Sequence, residues 1–237
     1  MVHHNSEVNK MLTQEQLKEV KQEFIDTLRQ IKRKDCDIEG LIAYLEATDF
    51  FTAPASTQYH CSFPGGLCLH SLNVYKALVK LVDGFASHFE FYQLEEGKLA
   101  NANLVTHYSD DSLIIVGLLH DLGKINFYEP AVKNVKVYSP YGKKSDSLGT
   151  FDWKEERCYA VKGADNRDVI GSKGFTAYYI ASMFIPMTKE EMITLTNQYS
   201  ALEREPLPDL SNVLAKYNLT VLLHAADTIA TYIIEHD

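Results

Sequence analysis

Four polar residues stand where apolar ones belong. The stripe Leu67, Val74, Leu78, Leu81 has helical spacing, and His70 lies in it, three residues after Leu67 and four before Val74. The segment Leu113-Ile114-Ile115-Val116-Gly117-Leu118-Leu119 is apolar on every side, which predicts a buried helix, and it stops abruptly at His120-Asp121. Near the end of the chain Asp227 shares a helical face with Leu223, Ala226, Ala230 and Ile234. A carboxylate left unpaired on a buried face costs several kcal/mol or shifts its pKa until it is neutral. Two carboxylates and two imidazoles on three core helices have one economical solution. They converge on a divalent metal, whose charge compensates the carboxylates and whose bonds satisfy the ring nitrogens. Each residue alone has a plainer reading: His70 as a hydrogen-bonded core histidine, Asp227 as the partner of a buried lysine or a helix cap, His120-Asp121 as a chance pair. The conjunction favours the metal, and Gly123-Lys124 follow immediately.

The elements that must position these residues are mostly helical. Leu12, Val20, Phe24, Leu28 and Ile31 recur at helical spacing. Asp37 is a candidate N-cap for a helix carrying Leu41, Ile42 and Leu45. Residues 50–66, with Pro54, Pro64 and Gly65-Gly66, read as loop. Helices are expected over 67–88 and 111–122, with Gly123 as the stop of the second. Alternation in Val132–Tyr138 and the aromatic and β-branched run Phe151–Val161 predict a hairpin or ribbon. Helix resumes over 175–184, breaks at Pro186, and restarts behind Thr188, with Glu191 completing a capping box. Pro206 and Pro208 mark a loop before a last helix over 219–234. The expected fold class is all-α: a helical bundle with a small inserted β-hairpin or ribbon. It is expected as a single domain over 1–237, with added N-terminal helices in 1–49 and the ribbon in 127–170.

Charge narrows the partners. Lys+Arg 23 against Asp+Glu 32 gives a formal net charge of −9, which argues against a general nucleic-acid-binding surface. Residues 124–173 hold 10 Lys/Arg and 7 Asp/Glu, a local +3, which leaves 13 basic against 25 acidic residues, or −12, elsewhere. That contrast suits a small anionic ligand better than long duplex DNA. Cys36, Cys61, Cys68 and Cys158 show no zinc-type spacing and read as reduced apolar fillers. No apolar run reaches the roughly 18 residues needed to span a bilayer. The first residues have no basic region followed by an apolar core, so a cytoplasmic protein without membrane partners is expected.

Gly65-Gly66-Leu67-Cys68-Leu69-His70-Ser71-Leu72, then His120-Asp121-Leu122-Gly123-Lys124, then Asp227 in a late helix, resemble the HD-domain superfamily of metal-dependent phosphohydrolases. The similarity covers roughly 50–232. It is closest to the branch with a Gly-Gly-Leu-x-x-His entry, which includes HD-domain exoribonucleases. The resemblance implies that His70, His120, Asp121 and Asp227 ligate one divalent metal (Mn, Fe, Ni, Co, Zn or Mg). It implies attack of an activated water on phosphorus, with Asp121 orienting that water and Lys124 neutralising phosphate charge. His60 matches a histidine of this branch and is expected to contact substrate. Members with two metals carry further histidines at positions that fall here on Lys173 and Gln198, so a binuclear site is not expected. Lys173 is instead a candidate phosphate contact. The expected substrate is a nucleotide, a cyclic nucleotide or a short single-stranded nucleic-acid end. The alternative is a metal-retaining module that binds or sequesters nucleotides without turnover, and a third option is a structural subunit of a larger complex. His3, His4, His88, His107 and His236 are read as surface or packing residues, and His224 as a candidate neighbour of the metal ligands. The aromatic residues around the ribbon are read mainly as packing.

Overall fold

The computed structural model describes residues 11–87, 91–95, 98–102, 108–198 and 210–235. His3, His4, His88, His107, His236, Pro206 and Pro208 lie outside the described residues. The helices begin where side chains can satisfy free backbone donors. Thr13 opens α1 (Gln14–Leu28): the Gln16 N–H donates to Thr13 Oγ1 at 3.2 Å, and Gln16 Oε1 accepts from the Thr13 N–H at 2.9 Å. Asp37 caps α2 (Ile38–Ala47) through the Gly40 N–H. The loop 50–65 leads into α3 (Gly66–Ser87). Ser109 caps α4 (Asp110–Leu119), whose first turn holds Asp110 and Asp111 at the positive end of the helix dipole. Ser172 caps α5 (Lys173–Ser182), and the Thr188–Glu191 capping box opens α6 (Lys189–Asn197). A short α7 (Leu210–Lys216), which the sequence reading did not foresee, precedes α8 (Asn218–Ile229).

The all-α expectation is wrong. The structure is mixed: 54% helical, with eight helices and a three-stranded antiparallel sheet among the described residues. In that sheet β3 (Tyr128–Tyr138) pairs with β5 (Gly149–Val161) from Tyr128↔Val161 to Tyr138↔Phe151, and β5 also pairs with β4 (Lys144–Asp146). An unforeseen two-stranded sheet joins β1 (Phe91–Glu95) to β2 (Lys98–Ala102). The ribbon is therefore longer than a small insertion, and most of its residues on both faces are exposed. Each strand satisfies its backbone against the other, so the ribbon needs little burial on the helices to hold its shape.

Two apolar clusters make the core. One gathers Phe24, Leu28, Leu41, Leu45, Phe50, Leu72 and Leu118 from α1 to α4. The other gathers Val74, Leu78, Val116, Leu195, Leu223 and Ala226 from α3, α4, α6 and α8. Helix α4 feeds both clusters, and every residue from Leu113 to Leu119 is buried. Its C-terminal end therefore opens inside the protein. Arg33 and Glu191 lock α6 to the turn after α1 with a fork at 2.5 and 2.7 Å, Glu191 fully buried. Among the described residues no helix is long and apolar enough to cross a membrane, and none of the four cysteines is in a disulfide.

Candidate metal centre

A helix that ends in the interior must find donors for its last carbonyls. At the end of α4 the chain's own side chains do this. His120 Nδ1 lies 2.8 Å from the Gly117 carbonyl, and the Gln198 amide donates to the His120 carbonyl. A carbonyl only accepts, so Nδ1 carries the proton and Nε2 presents its lone pair. That Nε2 is buried and has no hydrogen-bond partner among the described residues. Asp121 begins a tight turn over Leu122–Lys124. Gly123 is not a left-handed helix stop: α4 has already ended at Leu119, and a Cβ at Gly123 would collide with the Lys173 backbone carbonyl at the start of α5.

Helix α3 supplies His70, and the entry loop fixes where that helix begins. Gly66 packs so closely on the Cys61 carbonyl that a side chain there would strike backbone. The same loop brings His60 against His70, ring centroids 4.7 Å apart, with Ser56 Oγ accepting the His60 N–H at 3.0 Å. Both ring nitrogens of His60 are buried without a partner among the described residues. Burial, then the charges of His70 and Lys124, lower its pKa to about 4, so the ring is neutral near pH 7.

The three helices converge as expected from their misplaced polar residues. His70 Nε2 stands 3.2 Å from Asp227 Oδ1 and 3.6 Å from Asp121 Oδ2, and His120 Nε2 is also 3.6 Å from Asp121 Oδ2. His70, His120 and Asp227 each turn a ligand atom to within 4.8 Å of the others. His70, His120 and Asp121 are almost wholly buried, while Asp227 is partly open. Lys124 Nζ reaches Asp121 Oδ2 at 2.7 Å. Burial opposes ionisation of Asp121, yet the Lys124 ammonium, with the neighbouring His120 and His70 rings, pushes its pKa well below the carboxylate range. Burial likewise opposes the Lys124 charge, and Asp121 raises it. Asp227 falls to about 2 because the hydrogen bond and charge of His70 outweigh burial. His120 is lowered, chiefly by burial.

One residue of this centre was missed from sequence. Glu235 faces the far side of His70, its carboxylate oxygens 3.0 and 3.2 Å from Nδ1, and Asn73 donates to it at 2.9 Å. The last helix does not simply run to Ile234. After α8 the chain widens into a π-type turn, Ala230–Ile234, closed by the Glu235 N–H on the Ala230 carbonyl at 2.9 Å. No periodicity written for an α-helix places Glu235 beside His70.

Other expected residues sit differently. The Lys173 ammonium lies over the Phe127 ring, 5.6 Å from its centroid. Gln198 is buried and serves the His120 carbonyl. Among the described residues His224 belongs neither to the group His70, His120 and Asp227 nor to the second such group, His60, His70 and Glu235. A groove of about 490 Å³ runs between Ser62-Phe63-Pro64 and the base of the ribbon at Pro130, Val132 and Tyr159. One wall continues the loop that carries His60. The other continues the strand of Tyr128, whose hydroxyl donates to the Ala55 carbonyl at 3.2 Å.

The donor set suits a divalent cation. A neutral imidazole with its lone pair aimed inward, a second imidazole and two carboxylates held ionised form a mixed nitrogen and oxygen site. No family model, curated protein or solved structure matches the chain.

Proposed function

We propose that this chain is a metal-dependent phosphohydrolase of the HD type, cleaving a phosphate ester of a nucleotide, a cyclic nucleotide or a short nucleic-acid end. The observation that carries the reading is the inward, partnerless Nε2 of His120 facing the group formed by His70, Asp121 and Asp227. A buried nitrogen of this kind is costly unless something binds it. His70, His120, Asp121 and Asp227 would hold one divalent metal, which supplies Lewis acidity toward water and a phosphoryl oxygen.

The chain's own residues do the rest. Asp121, ionised and beside Lys124, orients the attacking water. The Lys124 ammonium offsets charge gathering on the phosphoryl oxygens. His60, neutral and with both ring nitrogens uncommitted, hydrogen-bonds the substrate. The partly open side of Asp227 admits a small phosphorylated substrate.

A second reading, a module that binds nucleotides without turnover, draws on Gln198. Its amide is engaged with the His120 carbonyl, at a position where two-metal members of the resembled superfamily carry a histidine. Elemental analysis should find about one transition metal per chain in the wild type and none in the His120→Ala/Asp121→Ala double variant. Phosphomonoesters, phosphodiesters, nucleotides and short RNAs, screened with Mn or Ni added, then divide the readings. Turnover that is lost with the metal supports the hydrolase. A metal-loaded protein that binds nucleotides and leaves all of them intact supports the module. Failure to load any metal sinks both.

A further inference from the structure

His70 is the residue on which both carboxylates of the last helical segment close. Asp227 meets its Nε2 and Glu235 its Nδ1. In a regular α-helix, residues eight apart are rotated by about 80° from each other, so both could not address one ring. The π-type turn absorbs one residue, and the effective separation of seven steps brings Glu235 back to within about 20° of Asp227. The Glu235 N–H to Ala230 carbonyl bond is the direct sign of that extra residue. The Glu235 side chain is 3% exposed, and Asn73, one turn along α3 from His70, holds one of its oxygens.

We propose that Glu235 is a positioning residue for the metal centre: it accepts the Nδ1 proton of His70, fixes the ring plane, and so turns the Nε2 lone pair toward Asp121 and Asp227. The proposal rests on the metal-site reading above. Carboxylates placed behind a ligating imidazole fix its tautomer and raise its basicity, and their loss typically costs about 10- to 100-fold in metal affinity. The π-type turn is the backbone device that makes the arrangement possible. A purely structural ion pair would need only one of these contacts, not Nδ1 held by Glu235 while Nε2 is turned to Asp227 and Asp121.

The experiment compares the wild-type chain of residues 1–237 with Glu235→Ala and the isosteric Glu235→Gln, using Zn(II) alone as the probe. Competition titration should show affinity falling about 10- to 100-fold in Glu235→Ala and by less in Glu235→Gln, whose amide oxygen still accepts the Nδ1 hydrogen bond. Nitrogen-15 and proton spectra of the zinc-loaded protein should show a downfield, slowly exchanging Nδ1 proton on His70 in the wild type. That signal should be lost in Glu235→Ala. Circular dichroism of the metal-free variants reports whether each is folded, and Glu235→Gln carries the test if Glu235→Ala is not. A folded variant with wild-type zinc affinity and an unchanged Nδ1 proton overturns the proposal and leaves the metal site standing. A wild type that binds no zinc, manganese or nickel overturns both.

Discussion

Two lysine–aspartate pairs in this protein have nearly the same geometry and opposite meanings. In the bundle, Lys124 Nζ is 2.7 Å from Asp121, with side chains 8% and 1% exposed. On the ribbon, Lys136 Nζ is 2.5 Å from Asp146, at 36% and 25%. The ribbon pair is hydrated whether or not it forms. With the Tyr138 hydroxyl, which also donates to Asp146, and the Phe151 ring under Lys136, it fastens β4 to the main hairpin. Its hydrogen bond lowers Asp146 to about 2, but water screens the interaction. The bundle pair sits among His70, His120 and Asp227, where each charge depends on the others. Distance alone does not say what an ion pair does; its surroundings decide.

The sharpest way to break that contrast is Lys124→Met in the metal-free protein. It strands the Asp121 carboxylate in the interior and should cost about 3–5 kcal/mol in urea unfolding. Adding Asp121→Asn should recover much of the loss, since the charge goes with its partner.

The next effect is a pH dependence of the chelated protein. Burial works to lower the His70 pKa, but the hydrogen bonds its ring donates to Asp227 and Glu235 raise it to about 9, above an unfolded value of about 6.5. The folded state therefore binds the proton more tightly. Its contribution is complete below about pH 6.5 and disappears as pH rises through about 9, a change of up to about 3 kcal/mol. Asp227 works with the opposite sign: its contribution is present above the unfolded carboxylate range and fades as pH falls through about 2. His60, held neutral down to about pH 4, and His120, also lowered, take stability away as pH falls below about 6.5, so urea midpoints should peak near pH 6.5 and fall on both sides. His70→Asn should flatten that alkaline fall, and a fall that persists in the variant would assign it to another group.

The smallest effect is expected at the ribbon. Lys136→Met should leave the thermal midpoint unchanged within error. A loss comparable with that of Lys124→Met would show that the ribbon pair is not screened, and the contrast would collapse.

Much of the centre was legible because buried helices expose their exceptions. His70 interrupts an apolar stripe, His120-Asp121 ends a wholly apolar run, and Asp227 lies among alanines and leucines. The caps at Asp37 and Thr188 were legible too, since capping depends on residues within one turn. The fold class was not. Alternation in Val132–Tyr138 revealed a ribbon, but its length, the third strand and the separate β1–β2 sheet depend on pairing between distant residues. Gly123 looked like a helix stop because that is the commonest local reason for a glycine there. Its requirement comes instead from α5 packing against it.

The sequence by itself determined which side chains are out of place in the core, and hence that His70, His120, Asp121 and Asp227 need partners. Burial along one helix is a local, periodic property that composition and spacing record. Only the tertiary structure decided what those partners are. The Lys124–Asp121 pair, the Gln198 amide on the His120 carbonyl and the Glu235 carboxylate behind His70 each join separate turns or helices. The last of these also requires a π-type turn that shifts the helical phase by one residue, a change no α-helical period can anticipate.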